Sequence, residues 1–176
     1  MDLKRDDKAG HGLDGEVPSK IKTVSELKPL LEERRRRGEV SVFTNGCFDL
    51  MHVGHVRYLA AARRLGDLLV VGLNSDRSVR TIKGPKRPLT PEAERAEVLA
   101  ALACVDFVTL FEEPDPLQMI LLLEPDVLVK GGDWPEDRII GAEPVKARGG
   151  RVVRIPLVTG ASTSAIVERV LERYAI

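Results

Sequence analysis

No sign of charge dominates this chain. Its 27 basic residues balance 27 acidic ones and no basic block stands out, which argues against a protein whose main task is gripping nucleic acid. A nucleotide substrate remains allowed, because it needs only a local cluster of positive groups. Cysteine is almost absent. Cys47 and Cys104 each lie in or beside an apolar run with no paired framework around them, so a reducing, cytoplasmic setting is expected. No apolar stretch of signal-peptide length opens the sequence, and no run approaches the length of a membrane span. A soluble protein without a membrane partner is the expectation. Aromatics make up only 4%, which fits a high-GC or heat-adapted source but says little about stability by itself. Internal repeats and low-complexity tracts are missing as well.

What is present is a core-forming composition, 43% hydrophobic and 31% charged, in a length of 176 residues that fits one domain. Residues 1–20 are polar, mixed in charge and dotted with glycine. They are expected to form a flexible tail, leaving 21–176 as the domain. Thr23-Val24-Ser25-Glu26 has the capping-box pattern. Leu27, Leu30 and Leu31 follow at helical spacing, and Arg34 to Arg37 with Gly38 close that helix. Beyond it, short Val- and Leu-rich runs at 40–43, 68–73, 107–110, 127–129 and 152–155 read as strands. Helices are expected at 55–65, 75–82, 91–102, 116–123, 142–148 and 164–174, the third capped by Thr90 with Pro91 at its first position. This alternation predicts an α/β fold, a Rossmann-like doubly wound parallel five-stranded sheet in a single domain. Ligands of such sheets bind beyond the C-terminal strand ends, so the chemistry is sought in the loops after Phe43, Leu73, Leu110, Val129 and Ile155.

Four segments in those loops stand out. The first runs from Thr44 through Asn45, Gly46, Cys47, Phe48, Asp49 and on to His52-Val53-Gly54-His55. It opens a helix whose first N–H groups favour an anion; Gly54 allows close approach of a phosphate, and two imidazoles can donate to its oxygens. Half a zinc site is the alternative, but no further Cys or His lies near to complete it. Cys47 as a nucleophile rests on proximity alone. The second is the basic loop Lys83-Gly84-Pro85-Lys86-Arg87-Pro88, able to cover phosphates or to remain a solvated surface loop. The third, Lys130-Gly131-Gly132-Asp133-Trp134, has glycines that let a flat base approach and a Trp that can wall it; a tight turn with a partly buried Trp is the bland alternative. The fourth, Thr159-Gly160-Ala161-Ser162-Thr163-Ser164, places three clustered hydroxyls at a helix start, where capping explains one.

The first segment resembles the H-x-G-H signature of the nucleotidyltransferase superfamily, in its cytidylyltransferase-like branch. The F-T-N-G-C-F-D-L opening, R-P-L-T-P-E, V-K-G-G-D-W and G-A-S-T-S are most similar to the heptose 1-phosphate adenylyltransferases, over almost everything from Ile21 onward. That resemblance implies that His52, His55 and Lys83 are catalytic. It implies nucleotide contacts from Thr44, Asn45, Gly46, Phe48, Gly54, Lys130, Gly131, Gly132, Asp133, Trp134, Ser162, Thr163 and Ser164. Arg87 and Arg95 would hold the substrate's phosphate, and Asp49 would hold the loop, with a metal role open. An Arg that some relatives carry before the fourth segment is missing here, and Arg154 is the nearest substitute. The implied reaction moves AMP from ATP to a sugar 1-phosphate, D-glycero-β-D-manno-heptose 1-phosphate, with Mg²⁺, in a stand-alone chain that forms a homodimer. Rival acceptors are glycerol 3-phosphate with CTP, or FMN with ATP. A nucleotide sensor on the same fold is the non-enzymatic rival.

Overall fold

The computed structural model describes residues 13–174. Five strands form one parallel sheet: β1 (Ser41–Gly46), β2 (Leu68–Asn74), β3 (Phe107–Phe111), β4 (Val127–Gly131) and β5 (Arg151–Ile155). Their order across the sheet is β3-β2-β1-β4-β5. The chain thus grows outward from β1 in one direction, crosses back, and grows in the other. The reversal falls between β1 and β4, where a crevice opens above the strand ends. This is the doubly wound fold expected from the sequence. β1 and β4 run on to Gly46 and Gly131, further toward the ligand edge than their apolar runs reach.

Among the described residues there are eight α-helices: α1 (Leu13–Lys20), α2 (Val24–Arg36), α3 (Val53–Arg63), α4 (Asp76–Lys83), α5 (Glu92–Ala100), α6 (Leu117–Leu123), α7 (Ala142–Ala147) and α8 (Thr163–Tyr174). Successive strand residues face opposite sides, and the core divides accordingly. Val42, Leu69, Val71, Leu73, Val108 and Val129 pack with Leu59, Ala62, Ala96 and Leu99 of α3 and α5. Phe43, Val70 and Leu128 pack on the other side with Leu27 and Leu31 of α2, Met119, Ile120 and Leu123 of α6, and Val145 of α7. Each of the larger aliphatic side chains so buried stabilises the fold by about 1.5–3 kcal/mol. α2 begins as its sequence pattern requires. Thr23 N–H donates to Glu26 at 2.8 Å, and the Thr23 hydroxyl accepts from Glu26 N–H at 3.3 Å. The Thr23 hydroxyl also donates to the Glu26 carboxylate at 2.7 Å, and this bond, together with that from the Thr23 N–H, holds the carboxyl below its ordinary value.

Two local expectations are corrected. Residues 13–20 form α1 where a tail was expected: Val17 packs on the core, Lys20 donates to the Val105 carbonyl at 2.9 Å, and Ile21 bridges Val108. An eight-residue helix is too short to hold itself together and is stabilised by this docking. The remainder of the expected tail, residues 1–12, lies outside the described residues. Thr90 does not cap α5 either. The helix starts at Glu92 with Pro91 at the cap and no side-chain capping bond, because Thr90 points its N–H at Asp49 and its carbonyl at Arg95.

Candidate active site

β1 ends at Gly46, and the chain turns through Phe48, held at φ 45°, into α3. A left-handed bulky residue is costly. Here the turn buries the Phe48 ring in the core and lays it edge-on to His55, centroids 5.2 Å apart. Gly46 has no Cβ to obstruct that ring: one would meet Phe48 Cε2 at 3.0 Å. His52 occupies the cap position of α3 without capping it, and no acidic residue sits in the first turn. The first N–H groups of α3 therefore keep their pull on an anion.

The two histidines stack, ring centroids 3.7 Å apart and planes at 20°. The Nδ1 atoms of both are buried without a hydrogen-bond partner. Burial lowers the pKa of His52, and burial together with the charge of His52 takes His55 down to about 4. Gly54 makes the stack possible. A Cβ there would meet His52 Nδ1 at 2.9 Å and the Ala161 Cβ at 3.1 Å. The room at Gly54 is thus filled by the chain itself, where the sequence reading reserved it for a phosphate. The same contact brings the 159–164 segment against the histidine loop. There Ser162 accepts a hydrogen bond from Ala165 N–H at 3.0 Å as an ordinary cap, which leaves the hydroxyls of Thr163 and Ser164 for a ligand.

Asp49 anchors the basic loop. Its carboxylate accepts from Leu89 N–H at 2.7 Å, from Thr90 N–H at 3.0 Å and from the Arg87 guanidinium. Arg87 therefore stands at the site already paired with Asp49. The metal role left open for Asp49 is not supported, since its oxygens are taken. Among the described residues no three His, Cys, Asp or Glu side chains converge to hold a metal ion. These described groups do not fit a protein-held metal. Lys83 ends α4, exposed, and its charge counters the upward push that burial gives the Cys47 thiol. A thiol raised by burial makes a poor nucleophile.

Arg95 requires a correction. Its side chain is 0% exposed. Nε donates to Thr90 O at 2.9 Å, Nη1 to Cys47 O at 2.5 Å and Asn74 O at 2.9 Å, and Nη2 to Asp76 at 2.8 Å. A guanidinium enclosed in this way has no face for a substrate phosphate.

On the β4 side, Lys130 donates to the Asn45 side-chain oxygen, and burial lowers its pKa to about 8. Thr44 is fully buried, and its hydroxyl pairs with Tyr58 at 2.7 Å. Its side chain supports the site from beneath and does not reach a nucleotide. Tyr58, unremarked in the sequence, has its pKa pushed up to about 12 by burial, so its hydroxyl stays protonated. Gly131 and Gly132 serve the chain's own packing: Cβ atoms there would meet Asp133 Oδ1 at 2.5 Å and Ile155 O at 3.3 Å. Asp133 and Trp134 stand at the rim, the Trp 48% exposed. Arg154 reaches only the Trp134 carbonyl, at 3.4 Å.

Above the point where the parallel sheet reverses between β1 and β4, an imidazole pair thus stands over an uncapped helix start, with Ala161 of the 159–164 segment against it. A family model described as cytidylyltransferase-like matches residues 43–169, and the chain belongs to that family. It is 57% identical over 166 residues to the bifunctional protein HldE of Syntrophotalea carbinolica, covering 94% of this chain and 34% of that protein. The chain thus spans about a third of the length of such curated relatives. A lipopolysaccharide core biosynthesis protein from Thermoplasma volcanium superposes with a TM-score of 0.57 at 27% identity, over 69% of this chain and 98% of its own. Pantoate-beta-alanine ligase from Francisella tularensis shares the fold, with a TM-score of 0.57 at 12% identity over 89% of this chain and 78% of its own.

Proposed function

We propose that this enzyme transfers AMP from ATP to a sugar 1-phosphate, D-glycero-β-D-manno-heptose 1-phosphate, giving ADP-heptose and pyrophosphate in the cytoplasm. The observation that carries the reading is the stacked His52–His55 pair at the uncapped start of α3, with Ala161, just before the start of α8, packed against Gly54. Near neutrality His55 is uncharged. A buried nitrogen lone pair left alone costs less than a buried N–H left alone, so the proton belongs on Nε2 of each ring, facing outward as a donor. An oxygen of the acceptor's phosphate, already anionic, attacks the α-phosphorus in line and pyrophosphate leaves opposite. No general base is needed. The protein contributes position and neutralisation of charge growing on the α-phosphate and leaving group, from the imidazole N–H groups, Lys83, Lys130 and the α8 turn. Magnesium enters as part of the nucleotide substrate, held by phosphate oxygens and water.

The family's description favours a second reading, CTP with glycerol 3-phosphate or a similar alcohol phosphate. Pyrophosphate release measured with ATP or CTP, each crossed with heptose 1-phosphate and glycerol 3-phosphate, separates the two. Release with ATP and the heptose alone supports the first reading; release with CTP and glycerol 3-phosphate replaces it. The working assembly is proposed to be a homodimer.

A further inference from the structure

We infer that Arg95 is a positioning residue: one buried guanidinium locks three separate loops into the register that aims the histidine pair, without touching substrate. The inference rests on the nucleotidyl-transfer reading for its kinetic consequences, though not for its geometry. The four acceptors come from different stretches of chain. Cys47 follows β1, Asn74 and Asp76 join β2 to α4, and Thr90 ends the basic loop before α5. No strand pairing reaches the Cys47 and Thr90 segments, so they depend on side chains for their relative placement.

The contacts close into a ring. Arg95 takes the carbonyls of Cys47 and Thr90, while Asp49, two residues past Cys47, takes the N–H of Thr90. Glu92, one turn before Arg95, accepts from Asp76 N–H at 2.6 Å, and Asp76 returns its carboxylate to Arg95. Every link is therefore held from two sides. A guanidinium is suited to this because its five donors diverge in one rigid plane, and four of them are used here. An ammonium cannot span the same acceptors from one point. The buried charge is balanced by Asp76 and three carbonyl dipoles, so loosening any loop leaves it uncompensated. That penalty keeps the loops together. His52 and His55 follow Cys47 within one turn-and-helix start, and a shift of about 1 Å in such groups costs roughly 10²-fold in rate.

The test compares Arg95→Lys, which keeps charge and most volume, with Arg95→Ala. Both are examined by hydrogen exchange of peptides covering 46–50 and 86–91, and by steady-state kinetics. Arg95→Lys is expected to fold, to exchange faster in both peptides, and to lose kcat by about 10-fold or more while the acceptor KM changes little. Millimolar guanidinium ion should restore part of the Arg95→Ala activity where sodium chloride of equal ionic strength does not. Unchanged exchange in Arg95→Lys overturns the inference whatever the activity. A rise in acceptor KM with kcat kept would instead make Arg95 a phosphate contact and overturn it too. Should the wild type release no pyrophosphate from any pair of substrates, the functional reading fails alone, and the exchange result still decides the role of Arg95.

Discussion

In the proposed mechanism the chemistry turns on His55. Replacing it with Ala removes one donor aimed at developing charge, and loss of such a donor slows turnover by about 10²–10³-fold. The fold should survive, because His55 lies at a helix start and spends no hydrogen bond within the protein through Nδ1. A folded His55→Ala enzyme with wild-type kcat would remove the imidazole pair from the mechanism. Lys130 gives a test by pH. Burial sets its pKa at about 8, so it is charged below that value and attracts phosphate, and it is neutral above. The nucleotide's kcat/KM should therefore fall as pH rises through about 8. Lys130→Arg, which stays charged across this range, should abolish that limb; a limb that persists unchanged in the variant assigns it to another group. The histidines and Lys130 could be singled out from the sequence because they lie at the C-terminal ends of strand patterns, where ligands of such sheets bind. Arg95 was read as a phosphate contact because the resemblance placed an arginine there, and only the tertiary structure reveals its four buried acceptors.

At the scale of elements, α8 separates helix stability from ligand binding. Ser162 caps the helix through Ala165 N–H, whereas Thr163 lies one residue on, at the first helical position. Ser162→Ala should cost about 1 kcal/mol of stability, read as a lower melting temperature of the free protein. Thr163→Ala should leave the free protein's melting temperature unchanged and weaken nucleotide binding by about 10-fold, the worth of a hydrogen bond to a charged group, measured by calorimetric titration. Equal nucleotide affinity in Thr163→Ala and wild type would deny the hydroxyl a phosphate. The strands and most helices could be read from the sequence because β-rich apolar runs with both faces buried leave an unambiguous pattern. α1 could not, since one packed residue, Val17, and the long-range hydrogen bonds of Lys20 do not make a period. The start of α5 was misplaced by one residue for a related reason. The competing partner for Thr90, the Asp49 carboxylate, lies 41 residues earlier.

Across the whole molecule, the helices are buried unevenly. α3 and α5 bury Leu59, Ala62, Ala96 and Leu99, but α8 buries no residue. Val170 is 49% exposed, Leu171 60% and Tyr174 78%, all on one terminal helix. β5, at the sheet edge, is only partly buried. A monomer seldom leaves an apolar strip of this kind facing water, and twofold dimers are the commonest way to cover one. The proposed homodimer is therefore expected to use this face. Light scattering at micromolar concentration should give twice the 19.4 kDa chain mass. Leu171→Glu should return it to a single chain, because a carboxylate buried across a twofold axis meets its own copy. A wild-type mass of one chain across that concentration range removes the dimer and leaves the α8 face to some other partner. A dimer that survives Leu171→Glu keeps the assembly and places its interface elsewhere.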